Sequence, residues 1–266
     1  MTEAVLTEER DGVLVVTINR PEARNAINGD VARGIAAAVD RLDGEDDLRV
    51  GVLTGAGGSF SSGMDLKGFL AGDLPVLEGR GLGGLTERPP RKPLIAAVEG
   101  YAVAGGFELV LACDMVVAAE GSRLGVPEVK RALVAGAGAA LHLPQRIPQA
   151  IALELLLTGE PIEAARAAEL GLVNRVVPDG TAVDAAVELA RVVAANGPLA
   201  VAVTKQIARS APDWTFAEGW QKQAELMAPV FVSEDAQEGA RAFAEKRPPV
   251  WKGRCPPPTT APPGPR

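Results

Sequence analysis

The stretch Ile95-Ala96-Ala97-Val98-Glu99-Gly100-Tyr101-Ala102-Val103-Ala104-Gly105-Gly106-Phe107-Glu108-Leu109-Val110-Leu111-Ala112-Cys113-Asp114 decides how this chain folds. Lys92-Pro93 stands before it, and the apolar residues 94–98 that follow the proline have the length of a strand. Residues 105–112 form a second apolar run, which opens on two glycines and reads as a buried helix. Residues 115–118 are apolar again and read as a further strand. A strand, a helix and a strand in close succession predict parallel pairing and the α/β class. Gly105 and Gly106 let the helix pack closely, and Glu108 reads as an ordinary acid in a first helical turn. The same helix start also presents N–H groups that lack intrahelical partners and favour negative charge.

Outward from this unit the pattern continues. Residues 13–18 form a β-branched strand after the turn Asp11-Gly12, and Arg20-Pro21 ends it. A helix is predicted over 28–42, with Gly44 near its end. Further strands are predicted over 50–53 and 173–177. After Gly180 the pattern is helical, over 183–195, 199–209, 216–226 and 235–246. Residues 71–92 hold several Gly and Pro without a period and read as a mobile loop. The expected division is a core over 1–195, a helical region over 196–254 and a disordered, proline-rich tail over 255–266.

Composition removes several mechanisms. With aromatics at 4% of 266 residues, Ala, Val and Leu must fill the core. A net charge of −7 argues against nucleic acid or an anionic membrane as partner, though a local basic pocket remains compatible with it. His142 is the single histidine, so any Ser–His–Asp or Cys–His chemistry would run through it alone. Cys113 and Cys255 are far apart in sequence, and a zinc site lacks ligands, so no metal is expected. The N-terminus has no signal-peptide pattern and residues 109–119 are too short to span a bilayer, which makes the cytoplasm the expected location.

Glycine-rich loops can cradle phosphates. Gly55-Ala56-Gly57-Gly58 follows a strand, but the G-x-G-x-x-G spacing is not met. Gly136-Ala137-Gly138 has Leu141 where a third small residue is needed. Neither loop meets the dinucleotide spacing, and no G-x-x-x-x-G-K-[ST] and no G-x-S-x-G occurs, so the P-loop and serine-hydrolase readings lack their motifs.

Taken whole, 95–114 resembles the enoyl-CoA hydratase/isomerase, or crotonase, superfamily. Other segments agree in order. Arg20-Pro21-Glu22-Ala23-Arg24-Asn25-Ala26-Ile27-Asn28 is similar to the family's N-terminal CoA segment. Phe60-Ser61-Ser62-Gly63-Met64-Asp65-Leu66-Lys67 is similar to its first oxyanion-hole loop. Pro127-Glu128, Gly136-Ala137-Gly138, Leu157-Thr158-Gly159, 168–174 and 243–247 follow in place. The resemblance spans about residues 5–254. It implies a crotonase-like spiral of ββα units with a helical C-terminal subdomain, a homotrimer or dimer of trimers, and an acyl-CoA thioester as ligand. No separate cofactor is implied, because coenzyme A arrives as part of the substrate.

The resemblance also implies roles. The backbone N–H groups of Met64 and Gly105 would polarise the thioester carbonyl, and Glu108 and Glu128 would activate water and deliver a proton. Arg24, Ala26, Ser62, Asp65, Leu66, Lys67 and Gly136 would contact substrate or CoA, and Phe243 and Lys246 would close over CoA. His142 receives no role, and Asp114 is expected to support the fold. Ala104 stands where the family often has glycine. The runs 129–132 and 139–142 also depart from the usual hydratase run. Met64 is bulkier than the common alanine, and with Phe107 it is expected to reshape the acyl tunnel. Hydratase activity is the expectation; a double-bond isomerase, or a non-catalytic acyl-CoA-binding protein, is the alternative.

Overall fold

Asp11 and Gly12 both take positive φ, 53° and 78°, as the two central residues of a type I′ turn do. The turn folds Val5–Arg10 back onto Val13–Ile18 as an antiparallel pair. Val13–Ile18 then pairs in parallel with Val50–Gly55, and Leu94–Val98, Met115–Ala119 and Arg175–Val177 follow in the same direction. Five of these six strands coincide with the predicted ones to within two residues at each end. The sixth, Val5–Arg10, carries Glu8, Glu9 and Arg10 on an edge and shows no apolar run.

The computed structural model describes residues 3–253. It divides into two units, the first ending at Val192 and the second beginning at Val193. The predicted boundary lay at 195. The tail expected over 255–266 lies outside the described residues.

Within the first unit a second, smaller sheet runs beside the large one. Tyr101–Val103 pairs in parallel with Arg123–Gly125, which pairs antiparallel with Ile162–Glu163. Single bridges Ser61–Ala102 and Ile27–Met64 extend the layer. Each turn of chain therefore gives one strand to the large sheet, a few residues to the small one, and then a helix. Leu94–Val98, Tyr101–Val103 and the helix Gly105–Ala112 form one such turn. Val13–Ile18, Ile27 and the helix Gly29–Gly44 form another. This is the expected spiral of ββα units.

The helix Gly29–Gly44 starts where the Asn28 side chain accepts from the Val31 N–H, and it buries Val31, Ile35, Val39 and Leu42 on one stripe. All eight residues of Gly105–Ala112 are buried. Burial of Leu109 or Phe107 is worth about 1.5–3 kcal/mol each, so this helix is anchored by its apolar surface. Asp114 accepts from the Leu94 N–H at 2.8 Å, holding the end of the helix to the start of a strand. Phe107 is buried in the core and does not face the cavity described below. Its expected effect on the acyl tunnel is therefore corrected.

Residues 71–92 are likewise not a free loop. Val76–Leu77 and Gly81–Leu82 form a hairpin, Leu82 and Leu85 are buried, and Arg80 pairs with Asp40 at 2.6 Å. Two buried leucines outweigh the breaker composition on which the loop reading rested. In the second unit the helices Pro198–Ser210, Phe216–Phe231 and Glu234–Glu245 follow the predicted spans closely, save that Phe216–Phe231 runs past residue 226 and through Pro229. Thr215 and Glu218 form a capping box at its start. No single helix among the described residues is long and apolar enough to cross a membrane.

Candidate active site

Two backbone amides are brought together by the small sheet. The Ile27 N–H donates to the Gly63 carbonyl and the Asp65 N–H to the Ile27 carbonyl, both at 2.8 Å. On the other side the Ser61 N–H donates to Tyr101 at 2.9 Å and the Val103 N–H to Ser61 at 3.0 Å. Residues 61–65 are thus clamped between two neighbouring turns of the spiral. Ala104 then takes φ 54° and ψ −134°, a conformation that glycine adopts far more readily than alanine. That turn starts the helix at Gly105. A Cβ placed on Gly105 would lie 3.5 Å from the Met64 nitrogen, and one on Gly63 would lie 3.0 Å from the Gly105 nitrogen. The Met64 and Gly105 amides are therefore neighbours. Neither finds an acceptor among the described residues.

Glu108 lies one turn into the same helix and is 4% exposed. Its Oε1 accepts from the Ala137 N–H at 2.7 Å and the Ala139 N–H at 3.2 Å. Burial pushes its carboxyl up to about 7; the two amides hold it back, and the charge of Glu128 pushes it further. Glu128 sits in the first turn of the 3₁₀ helix Pro127–Arg131. Burial raises its carboxyl too, while Arg131 acts in the opposite direction. Its Oε2 is buried without a hydrogen-bond partner among the described residues, an arrangement that awaits water or a ligand atom.

One cavity of about 900 Å³ gathers most of the residues singled out from sequence: Glu108, Glu128, Met64, Gly105, Arg24, Ala26, Ser62, Asp65, Leu66, Lys67 and Gly136. Phe243 and Lys246 are not among its lining residues. They belong to the second unit, where Phe243 is 87% exposed and Lys246 caps its helix with φ 54°.

Arg24 and Lys67 line the cavity without a side-chain hydrogen bond or ion pair among the described residues, so their charges are open to an anionic ligand. Asp65 is committed to structure. One oxygen pairs with Arg20 at 2.9 Å and the other accepts from the Lys67 and Gly68 amides. The Ala26 carbonyl accepts from Arg20 at 2.6 Å. Asn25, fully buried with φ 55°, donates to the Ala56 and Ser59 carbonyls and accepts from the Arg20 N–H. The segment before the first helix is thus fastened to the loop that carries the Met64 amide.

Sequence reasoning missed Arg20, Arg131 and the amides of Ala137 and Ala139. Only Arg131 left a signal, its place three residues after Glu128. Among the described residues no three His, Cys, Asp or Glu side chains gather as a metal site requires.

A family profile described as enoyl-CoA hydratase/isomerase matches residues 8–254. An enoyl-CoA hydratase of Mycobacterium tuberculosis is 43% identical, over 94% of this chain and 96% of its own length. A carnitinyl-CoA dehydratase of Salmonella enteritidis is 40% identical, over 96% of this chain and 100% of its own. A crystal structure of enoyl-CoA hydratase from Mycobacterium tuberculosis superposes with a TM-score of 0.94 at 58% identity, covering 95% of this chain and 100% of that one.

Proposed function

The chain belongs to the enoyl-CoA hydratase/isomerase family and acts as a hydratase-type enzyme on CoA thioesters, and from that premise we propose that it adds water reversibly to a 2-enoyl-CoA through two backbone amides and two glutamates. The observation that carries the reading is the meeting of Glu108, Glu128 and the unpaired Met64 and Gly105 amides in one cavity. With the thioester carbonyl seated on the two amides, negative charge that develops on its oxygen is stabilised by fixed dipoles. One such donor is worth about 3–4 kcal/mol, and Gly105 adds the start of a helix.

The carboxyls supply the proton traffic. One carboxylate takes a proton from water as the water oxygen bonds to C3, and the electrons of the double bond move toward the thioester oxygen. The other carboxylic acid gives a proton to C2 as the carbonyl re-forms. The reverse reaction expels water. This requires one proton on the pair. Burial and mutual repulsion of Glu108 and Glu128 favour that state near neutrality. Arg24 and Lys67 would meet the phosphates of CoA, which enters as part of the substrate; no separate cofactor is needed.

The second unit exposes Phe216, Trp220 and Phe231 along one helix, with Phe216 at 85%. That unpartnered apolar surface supports assembly as a trimer or dimer of trimers.

The test is hydration of crotonyl-CoA, followed by loss of enoyl-thioester absorbance, in Glu108→Gln and Glu128→Gln. Each should lower kcat at least about a hundredfold, and the double variant should lose little more. If only one substitution matters, the reaction is double-bond migration. If no acyl-CoA is turned over, the chain binds rather than transforms.

A further inference from the structure

Arg131 is the cavity-wall cation to which neither the fold nor the proposed chemistry gives a contact. It lines the cavity and makes no hydrogen bond or ion pair among the described residues. Lys130 beside it is tied to Glu160 at 2.5 Å. Glu87 also lines the cavity, but no ion pair joins it to Arg131. Arg131 closes the 3₁₀ helix that carries Glu128 in its first turn. Residues three apart in such a helix stand one above the other, about 6 Å along its axis. A group held by Arg131 is thus within reach of a chain whose reacting carbon meets Glu128. Leu133, Val134, Val76 and Leu82 give the same cavity an apolar lining. No aromatic side chain lines the cavity among the described residues.

We propose that Arg131 determines acyl-chain specificity: it receives an oxygen acceptor, best a carboxylate, on the acyl chain beyond C3 and excludes a quaternary ammonium there. The guanidinium donates paired N–H groups to a carboxylate. A trimethylammonium group would meet a like charge and no aromatic face to hold it. The claim rests on the hydratase reading for where the acyl chain lies, and it separates this chain from relatives named for carnitinyl-CoA.

The experiment compares three 2-butenoyl-CoA substrates that differ only at C4, bearing a carboxylate, an ethyl group or a trimethylammonium group. In the wild-type protein kcat/KM should rank carboxylate above ethyl, with trimethylammonium at least about tenfold below ethyl. In Arg131→Met the ratio of carboxylate to ethyl should fall at least about tenfold, and Arg131→Lys should recover part of it. The ratio is the readout because loss of this charge beside Glu128 alters the pH profile for every substrate. Equal turnover of ethyl and trimethylammonium substrates by the wild type would overturn the proposal, as would a ratio unmoved by Arg131→Met. If no enoyl-CoA is hydrated, the hydratase reading falls. Calorimetric affinities of the saturated carboxylate and ethyl thioesters for the wild type and Arg131→Met then decide the Arg131 claim by the same ratio.

Discussion

Glu108→Gln should stabilise the protein at pH 8 while it abolishes turnover. The buried carboxyl holds its proton up to about 7, against an ordinary value of 4.5. Between those values the folded protein binds more protons than the unfolded chain, so stability falls as pH rises from about 4.5 to about 7 and then levels off. The gap corresponds to about 3 kcal/mol of destabilisation above pH 7. Glutamine resembles the protonated acid: its carbonyl oxygen can still accept from the Ala137 and Ala139 amides, and it carries no charge. Urea unfolding of both proteins at pH 5, 6.5 and 8 measures the difference. It should be below about 1 kcal/mol at pH 5 and approach about 3 kcal/mol in favour of the variant at pH 8. A gap that does not change with pH, or a variant weaker at pH 8, would refute the claim that burial keeps Glu108 protonated.

The same proton gives kcat/KM an alkaline limb near pH 7, where activity falls as the pair becomes doubly charged; a profile flat from pH 6 to 9 would contradict it. Ala104→Gly removes the strain of a side chain at φ 54°, worth about 1–3 kcal/mol, and should raise the melting temperature by about 2–4 °C for each kcal/mol released; calorimetry that shows a fall would count against the strain. Gly105→Ala places a Cβ 2.6 Å from Leu82 and 3.5 Å from the Met64 nitrogen, beside the proposed carbonyl seat; a folded variant should lose about a hundredfold in kcat, and near-native turnover would dissociate Gly105 from that seat. Light scattering at micromolar concentration should give the mass of a trimer or a multiple of it, and a monomeric mass would remove the role proposed for the exposed helix face.

The strands 13–18, 94–98 and the helix 105–112 are legible because each is an unbroken apolar run between breakers. The small sheet is not. Tyr101–Val103, Ile162–Glu163 and the bridges at Ile27 and Ser61 are one to three residues long, too short for a period, and tertiary pairing alone creates them. Val5–Arg10 hid for a different reason. The apolar pattern marks one strand after the Asp11-Gly12 turn, although a type I′ turn needs a strand on each side. The functional positions of Glu108 and Glu128 came from resemblance to a family. Their shifted protonation depends on burial that no local pattern encodes.

The clamp on residues 61–65 has a consequence for how such a chain diversifies. The proposed seat for the carbonyl is written into backbone pairing between neighbouring turns, whereas the proposed acyl wall is drawn from Val76–Leu82 and Arg131–Val134, stretches outside that pairing. Mutational drift in the wall away from Leu82, which packs against Gly105, leaves that backbone pairing in place. Reaction and substrate range can therefore evolve on separate timetables, and a lineage can exchange one acyl group for another without reinventing its chemistry.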